Sequence, residues 1–202
     1  MIPKIIHYVW IGEPNKKVTK CVESWKKYCP DWEIKLWNEE NLPMDNIWIK
    51  SCYKNRPWGL GFLVDYVKPW VIYNYGGIWL DADVELKEPI DELLKHKNFV
   101  FSSIKGDKVA TAFMGGEKGS LMFKYIMDTY SNTSFPENVD RRVLNSILLY
   151  RRIIAEYGID ILPCVQEACY EYNKGELTVY YTYHVDLYWD WAIHNPTLSW
   201  LK

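Results

Sequence analysis

The hydrophobic period of this chain changes twice within its first 37 residues, and that alternation constrains the fold more than any other feature. Lys4-Ile-Ile-His-Tyr-Val-Trp-Ile11 is β-branched and aromatic, and Gly12 and Pro14 end it, which predicts a strand running into a loop. Val18, Cys21, Val22, Trp25, Tyr28 and Cys29 then recur at helical spacing until Pro30 stops the run. Trp32, Ile34 and Leu36 alternate with Glu33 and Lys35, the pattern of a strand with one wet face. A β-α-β opening of this kind predicts an α/β sheet.

Residues 38–57 are irregular and polar, with room for one short helix. Leu60, Leu63, Val64, Val67, Val71, Ile72 and Tyr75 return to a helical period, closed by Gly76-Gly77. Pro69 lies inside that pattern and predicts a kink or a break. Ile78-Trp-Leu-Asp-Ala-Asp-Val-Glu-Leu86 follows as one apolar strand carrying alternating carboxylates. Phe99–Phe101 predicts another strand, and Leu121–Tyr130 and Arg142–Tyr157 predict helices. The last forty residues mix short strands with aromatic-rich loops. With no repeat, low-complexity tract or linker, residues 1–202 are expected to form one domain.

Charge narrows the functional classes. The 24 basic and 26 acidic residues give a formal net charge of -2, which leaves no basic field for sequence-independent nucleic-acid binding. No apolar run reaches the ~18 residues that a membrane-spanning helix needs. The opening residues lack the basic, apolar and small-residue segments of a secretory leader. Cys21, Cys29, Cys52, Cys164 and Cys169 are odd in number and lack C-x-x-C spacing, so a reducing, cytoplasmic setting is expected. Cys21 shares the stripe of Val18, Val22 and Trp25, which predicts a buried thiol. The 16% aromatic content suits sugars and nucleotide bases, and it suits a core equally well.

Asp81-Ala82-Asp83 is the sharpest chemical feature. On an extended strand residues i and i+2 share a face, where two carboxylates repel unless a cation lies between them. Hard divalent ions such as Mg2+ or Mn2+ prefer such oxygen ligands. The bland alternative is a pair of solvated aspartates, because roughly one D-x-D is expected by chance in such a chain. Position favours the metal reading: carboxyl ends of strands in α/β sheets are where ligands bind. Glu85 either shares this face or is solvated.

Asn74-Tyr-Gly-Gly-Ile-Trp-Leu-Asp-Ala-Asp-Val-Glu85 resembles the core of the glycosyltransferases that contain a DXD sugar-binding region. That family includes capsular-polysaccharide transferases and yeast-type initiating mannosyltransferases, with the clostridial glucosylating toxins as distant relatives. Ile2–Gly12, Ser24–Lys27, Pro30–Trp37, Val64–Val67 and Ala192–Trp200 resemble other stretches of the family in order, so the likeness spans most of the chain. It implies a GT-A fold, a nucleotide-sugar-binding α/β domain with a central mixed sheet flanked by helices. It also implies glycosyl transfer with retention of configuration, from a UDP-linked donor or from GDP-mannose, to a glycan or lipid-linked acceptor. Surface-polysaccharide synthesis is the expected setting.

The resemblance assigns roles residue by residue. Asp83 matches the aspartate that ligates the metal, and Asp81 the one that touches ribose or sugar while supporting the metal. Trp10 matches an aromatic position that stacks on the base, and Asp65 a carboxylate that binds donor-sugar hydroxyls. Gly76 and Gly77 belong to the donor-binding motif. His194 lies where a further metal ligand is often supplied, and Ser199 and Trp200 look like the pair that grips the diphosphate. A neutral His suits ligation beside carboxylates, and an indole N–H suits a phosphate oxygen. His7 and His184 are expected to be structural. Two positions depart from the pattern. Lys68 stands where the family has an arginine, which loses the planar fork, and Asn195 replaces a second histidine. The sequence ends at Lys202, just past Ser-Trp, without a basic or amphipathic tail, and the expectation is either a compact member or one whose membrane contact lies elsewhere.

Two other readings compete. Asp81-Ala-Asp-Val84 also fits the D-x-D-x-[TV] string of haloacid-dehalogenase-like Mg-dependent phosphatases. That string belongs on a first strand, however, and Gly106-Asp107 is followed by Thr111 where a second Asp is needed. The other is a lectin-like relative that binds sugar without turnover, which the departures at Lys68 and Asn195 allow.

Overall fold

The computed structural model describes residues 1–56, 59–102, 109–131, 134–135, 160–162, 171–173, 176–185 and 187–194. The expected β-α-β opening is β1 (Ile5–Val9), α1 (Lys16–Tyr28) and β2 (Glu33–Trp37). Asn15 caps α1, its side chain accepting from the backbone N–H groups of Lys17 and Val18. Two helices, α2 (Ile47–Lys54) and α3 (Leu60–Tyr75), lead to β3 (Gly77–Leu80) and a three-residue β4 (Val84–Leu86). A 3-10 turn (Asp91–Lys95), β5 (Asn98–Ser102), β6 (Val109–Gly116) and α4 (Leu121–Ser131) follow. The remaining described strands are β7 (Asp160–Leu162), β8 (Glu171–Asn173), β9 (Glu176–Val185) and β10 (Leu187–His194). The helix expected over 142–157 lies outside the described residues.

Six strands form a mixed sheet in the order β2-β1-β3-β6-β5-β7, and four form a second sheet, β4-β10-β9-β8. β1 runs parallel to both β2 and β3, whereas β6 is antiparallel to β3 and β5. The chain leaves β1 for β2 on one side and comes back to β3 on the other. The strand order therefore reverses at β1, which puts a ligand crevice beyond the carboxyl ends of β1 and β3.

Period-2 alternation divides the core between the faces of the large sheet. Ile6, Tyr8, Ile78 and Leu80 pack with Val18, Cys21 and Trp25 of α1. Trp79, Val100 and Met114 pack with Trp48, Ile49, Leu63, Val67, Phe123 and Ile126 of α2, α3 and α4.

Three expectations change. Pro69 neither breaks nor ends α3, which is continuous over 16 residues. Proline removes one backbone donor, but Leu63, Val67, Val71 and Ile72 bury the helix on both sides of it and hold it together. Residues 78–86 are two strands rather than one. β3 ends at Leu80, the Val84 N–H donates to the Asp81 carbonyl at 2.9 Å, and β4 leaves for the other sheet. The C-terminal strands are longer than expected, with ten residues in β9 and eight in β10.

Candidate functional site

The turn between β3 and β4 carries Asp81, Ala82 and Asp83, all half-buried. The two carboxylates therefore flank a turn at a strand end instead of sharing one strand face. The Asp81 N–H extends the ladder, donating to Ala112 of β6 at 2.8 Å. Asp81 Oδ1 accepts from the Trp79 indole N–H at 2.6 Å and lies 2.8 Å from the Lys68 ammonium. Lys68 also donates to the Thr111 carbonyl at 3.2 Å. Its side chain is only 5% exposed, so the ion pair is made largely out of contact with bulk water.

The resemblance counts Lys68 among the donor-binding residues. The structure turns it inward to hold Asp81, so the charge kept in exchange for a planar fork acts through the aspartate. Asp65 is half-buried one helical turn earlier, and its charge adds to burial in raising the Cys52 thiol and the Tyr130 phenol.

Asp83 lies toward α1. Burial first, then the charges of Asp83 and Glu85, push the Cys21 thiol up to about 12. Glu85 belongs neither to the aspartate face nor to solvent. It is buried and bonded to Lys20 at 2.8 Å and Lys87 at 2.9 Å. Burial works to raise its pKa, and the two ammonium groups outweigh burial, leaving it below the usual carboxylate range.

Gly76 and Gly77 stand at the amino end of β3, roughly 13 Å along the strand from Asp81 at ordinary strand rise. Both positions have positive φ and are packed too closely for a side chain. A Cβ on Gly77 would meet the Ile5 carbonyl at 2.7 Å, and one on Gly76 would meet Pro3 and Lys118 at 2.8 Å. Beside them His7 is buried between two partners. Trp37 Nε1–H donates to His7 Nδ1 at 3.1 Å, so the proton is on Nε2, which donates to the Gly76 carbonyl at 2.8 Å.

Trp10 follows β1 at the crevice edge. Its backbone N–H donates to Trp37, and its half-buried ring packs on the core beneath α1. The indole Nε1–H is buried with no hydrogen-bond partner, a donor for which a ligand acceptor is the natural complement. The register of β10 against β4 pairs His194 with Val84, one residue from Asp83. The side chain of His194, like that of His184, is outside the described set, as are Ser199, Trp200 and Asn195. Among the described residues no group of three His, Cys, Asp or Glu side chains is placed to hold a metal. Asp81 and Asp83 supply two oxygen donors at one turn, a donor set that fits a hard divalent cation.

Residues 15–100 match the family described as the glycosyltransferase sugar-binding region containing a DXD motif. The match includes Lys68, Asp81 and Asp83. Over 110 residues, 49% of its length, the chain is 34% identical to inositol phosphoceramide mannosyltransferase 3 of Schizosaccharomyces pombe, covering 29% of that protein. It is 27% identical over 110 residues to inositol phosphoceramide mannosyltransferase 1 of the same yeast, across 50% of this chain and 34% of the relative. The chain thus spans about a third of the length of the curated relatives it matches. The PaToxG glycosyltransferase superposes with a TM-score of 0.53 at 14% identity, over 77% of this chain and 68% of that one. The fold is the GT-A glycosyltransferase fold, with the DXD turn at the strand-order reversal. Among the described residues no helix is long and apolar enough to cross a membrane.

Proposed function

We propose that the protein is a metal-dependent, retaining glycosyltransferase whose donor is a nucleotide sugar held at the β3–β4 turn. The observation that carries this reading is the anchored DXD turn. Asp81 is locked by Lys68 and Trp79 at the carboxyl end of β3, while Asp83 stands at the start of the step into the second sheet. Asp83, with Asp81 behind it and His194 brought near by the β10 register, would hold a Mn2+ or Mg2+ ion. When bound, that ion neutralises charge developing on the leaving diphosphate.

The chain's own groups do the rest. Trp10 offers a ring for the base and an unpaired indole N–H for an oxygen acceptor. Asp65 is the candidate for donor-sugar hydroxyls, and Ser199 and Trp200 for the diphosphate. The glycosidic C–O bond to phosphate breaks as the acceptor oxygen attacks the anomeric carbon from the same face. The departing phosphate takes the acceptor proton, so no enzyme nucleophile is needed. A covalent glycosyl adduct on a carboxylate, detected by intact mass, would contradict this route.

For the donor the two candidates are a UDP-sugar and GDP-mannose. The family likeness to glucosylating toxins supports the first. The second draws on relatives named as mannosyltransferases that act on inositol phosphoceramide, and it brings a lipid-linked acceptor with it. Hydrolysis assays with each donor and Mn2+ decide between them. Turnover of neither, together with metal-independent glycan binding, would support the lectin reading.

A further inference from the structure

α1 makes side-chain contact with every residue of β4. The Trp25 indole N–H donates to the Val84 carbonyl at 2.8 Å, and the Leu86 N–H donates to Ser24 Oγ at 2.9 Å. Lys20 reaches Glu85 between them at 2.8 Å. Ser24 is itself aimed by its own hydroxyl, which donates to the Cys21 carbonyl at 2.6 Å. In a strand, alternate residues turn their backbone groups to opposite edges. Val84 and Leu86 therefore face α1, while the other edge of β4 pairs with β10. The helix takes the place of a missing neighbouring strand.

The consequence falls on Asp83. A free three-residue edge strand would fray, since few backbone bonds hold it. Here the Val84 N–H is bonded to the Asp81 carbonyl and the Val84 C=O to Trp25, so the peptide units on both sides of Val84 are fixed. Lys20 and Lys87 neutralise Glu85, two residues from Asp83, and so keep a third bare carboxylate away from the pair. We propose that the Lys20–Ser24–Trp25 face of α1 is a positioning device that sets where Asp83 stands, and through β4 where the His194 strand docks. The proposal rests on the donor-site reading above. None of these residues would touch donor or acceptor; they act through the strand.

The test uses a built-in control. Trp32 lies in the same core cluster as Trp25 and is also buried, but its indole N–H has no hydrogen-bond partner. Trp25→Phe and Trp32→Phe make the same chemical change, and only the first removes a bond to β4. Isothermal titration of UDP and of GDP, with and without Mn2+, is the readout. The expected result is metal-dependent nucleotide affinity about tenfold weaker in Trp25→Phe, in the range seen when partners that orient metal ligands are removed. Trp32→Phe should match wild type, and binding without metal should be unchanged in both. Ser24→Ala should weaken affinity in the same direction, and it decides the matter if Trp25→Phe does not fold. Wild-type binding with Trp25→Phe or Ser24→Ala indistinguishable from Trp32→Phe would overturn the positioning role alone. Failure of the wild type to bind either nucleotide with Mn2+ would overturn the donor-site reading, and this inference with it.

Discussion

The Lys68 ammonium lies 2.8 Å from Asp81 Oδ1 while its side chain is almost wholly buried. A cation placed there cannot reach bulk water, so its worth is what it does to the aspartate. Lys68→Met removes the cation and leaves Asp81 facing apolar packing. We expect a loss of about 1–3 kcal/mol in urea unfolding, below the full cost of a broken buried pair because Asp81 keeps some solvent contact. Metal-dependent nucleotide binding should fall with it, and Lys68→Arg should restore part of both. An unchanged urea midpoint and unchanged binding in Lys68→Met would show that the pair is ornamental.

His7 gives the molecule an acid limit. Burial is the main cause that lowers its pKa to about 4 from the usual 6.5, and Lys35 adds to it against the Gly76 bond. Protonation would also set an N–H of the ring against the Trp37 N–H. The unfolded chain binds the proton more readily, so the contribution is fully present above pH 6.5 and is lost as pH falls from there toward 4. It amounts to roughly 3 kcal/mol across that window. About 2 kcal/mol of it is lost between pH 7.5 and pH 5, and urea midpoints at these two values should differ by the equivalent of that in the wild type and much less in His7→Gln. Parallel pH profiles for the two proteins would count against this role.

Two glycines with positive φ should respond differently to a methyl group. Gly77 has φ +108° and no space, the Ile5 carbonyl being 2.7 Å from a Cβ, whereas Gly119 has φ +80° and nothing within 4 Å. Gly119→Ala should cost about 1 kcal/mol, the backbone term alone. Gly77→Ala adds a clash inside the sheet and should cost about 3 kcal/mol or more. Equal thermal shifts in the two variants would contradict the packing at the α3–β3 junction.

Much of the large sheet was legible because its strands and helices are long enough to show a period. β1, α1, β2 and the α3 region all follow from where Ile, Val and Trp recur. The DXD turn was not legible. Leu80, Val84 and Leu86 continue an alternating pattern across it, and only the Val84–Asp81 bond and the change of sheet reveal the corner. Lys68 escaped for a related reason: its partners come from β3 and β6, and no local pattern ties residue 68 to 81 or 111. The close packing at Gly76-Gly77 was also hidden, because the atoms that crowd the two glycines come from Pro3, Ile5, His7 and Lys118, far away in the sequence. The α1–β4 clamp lay hidden in Ser24-Trp25, which reads as ordinary helix.

In the proposed function Asp83 presents a divalent cation to a nucleotide diphosphate. Titration of UDP and GDP against intrinsic tryptophan fluorescence, with and without Mn2+, in wild type and Asp83→Ala, tests it most directly. The prediction is that one nucleotide binds only when Mn2+ is present, and that Asp83→Ala abolishes that binding while folding normally. Binding of neither nucleotide under any metal condition, or full binding in Asp83→Ala, would contradict it.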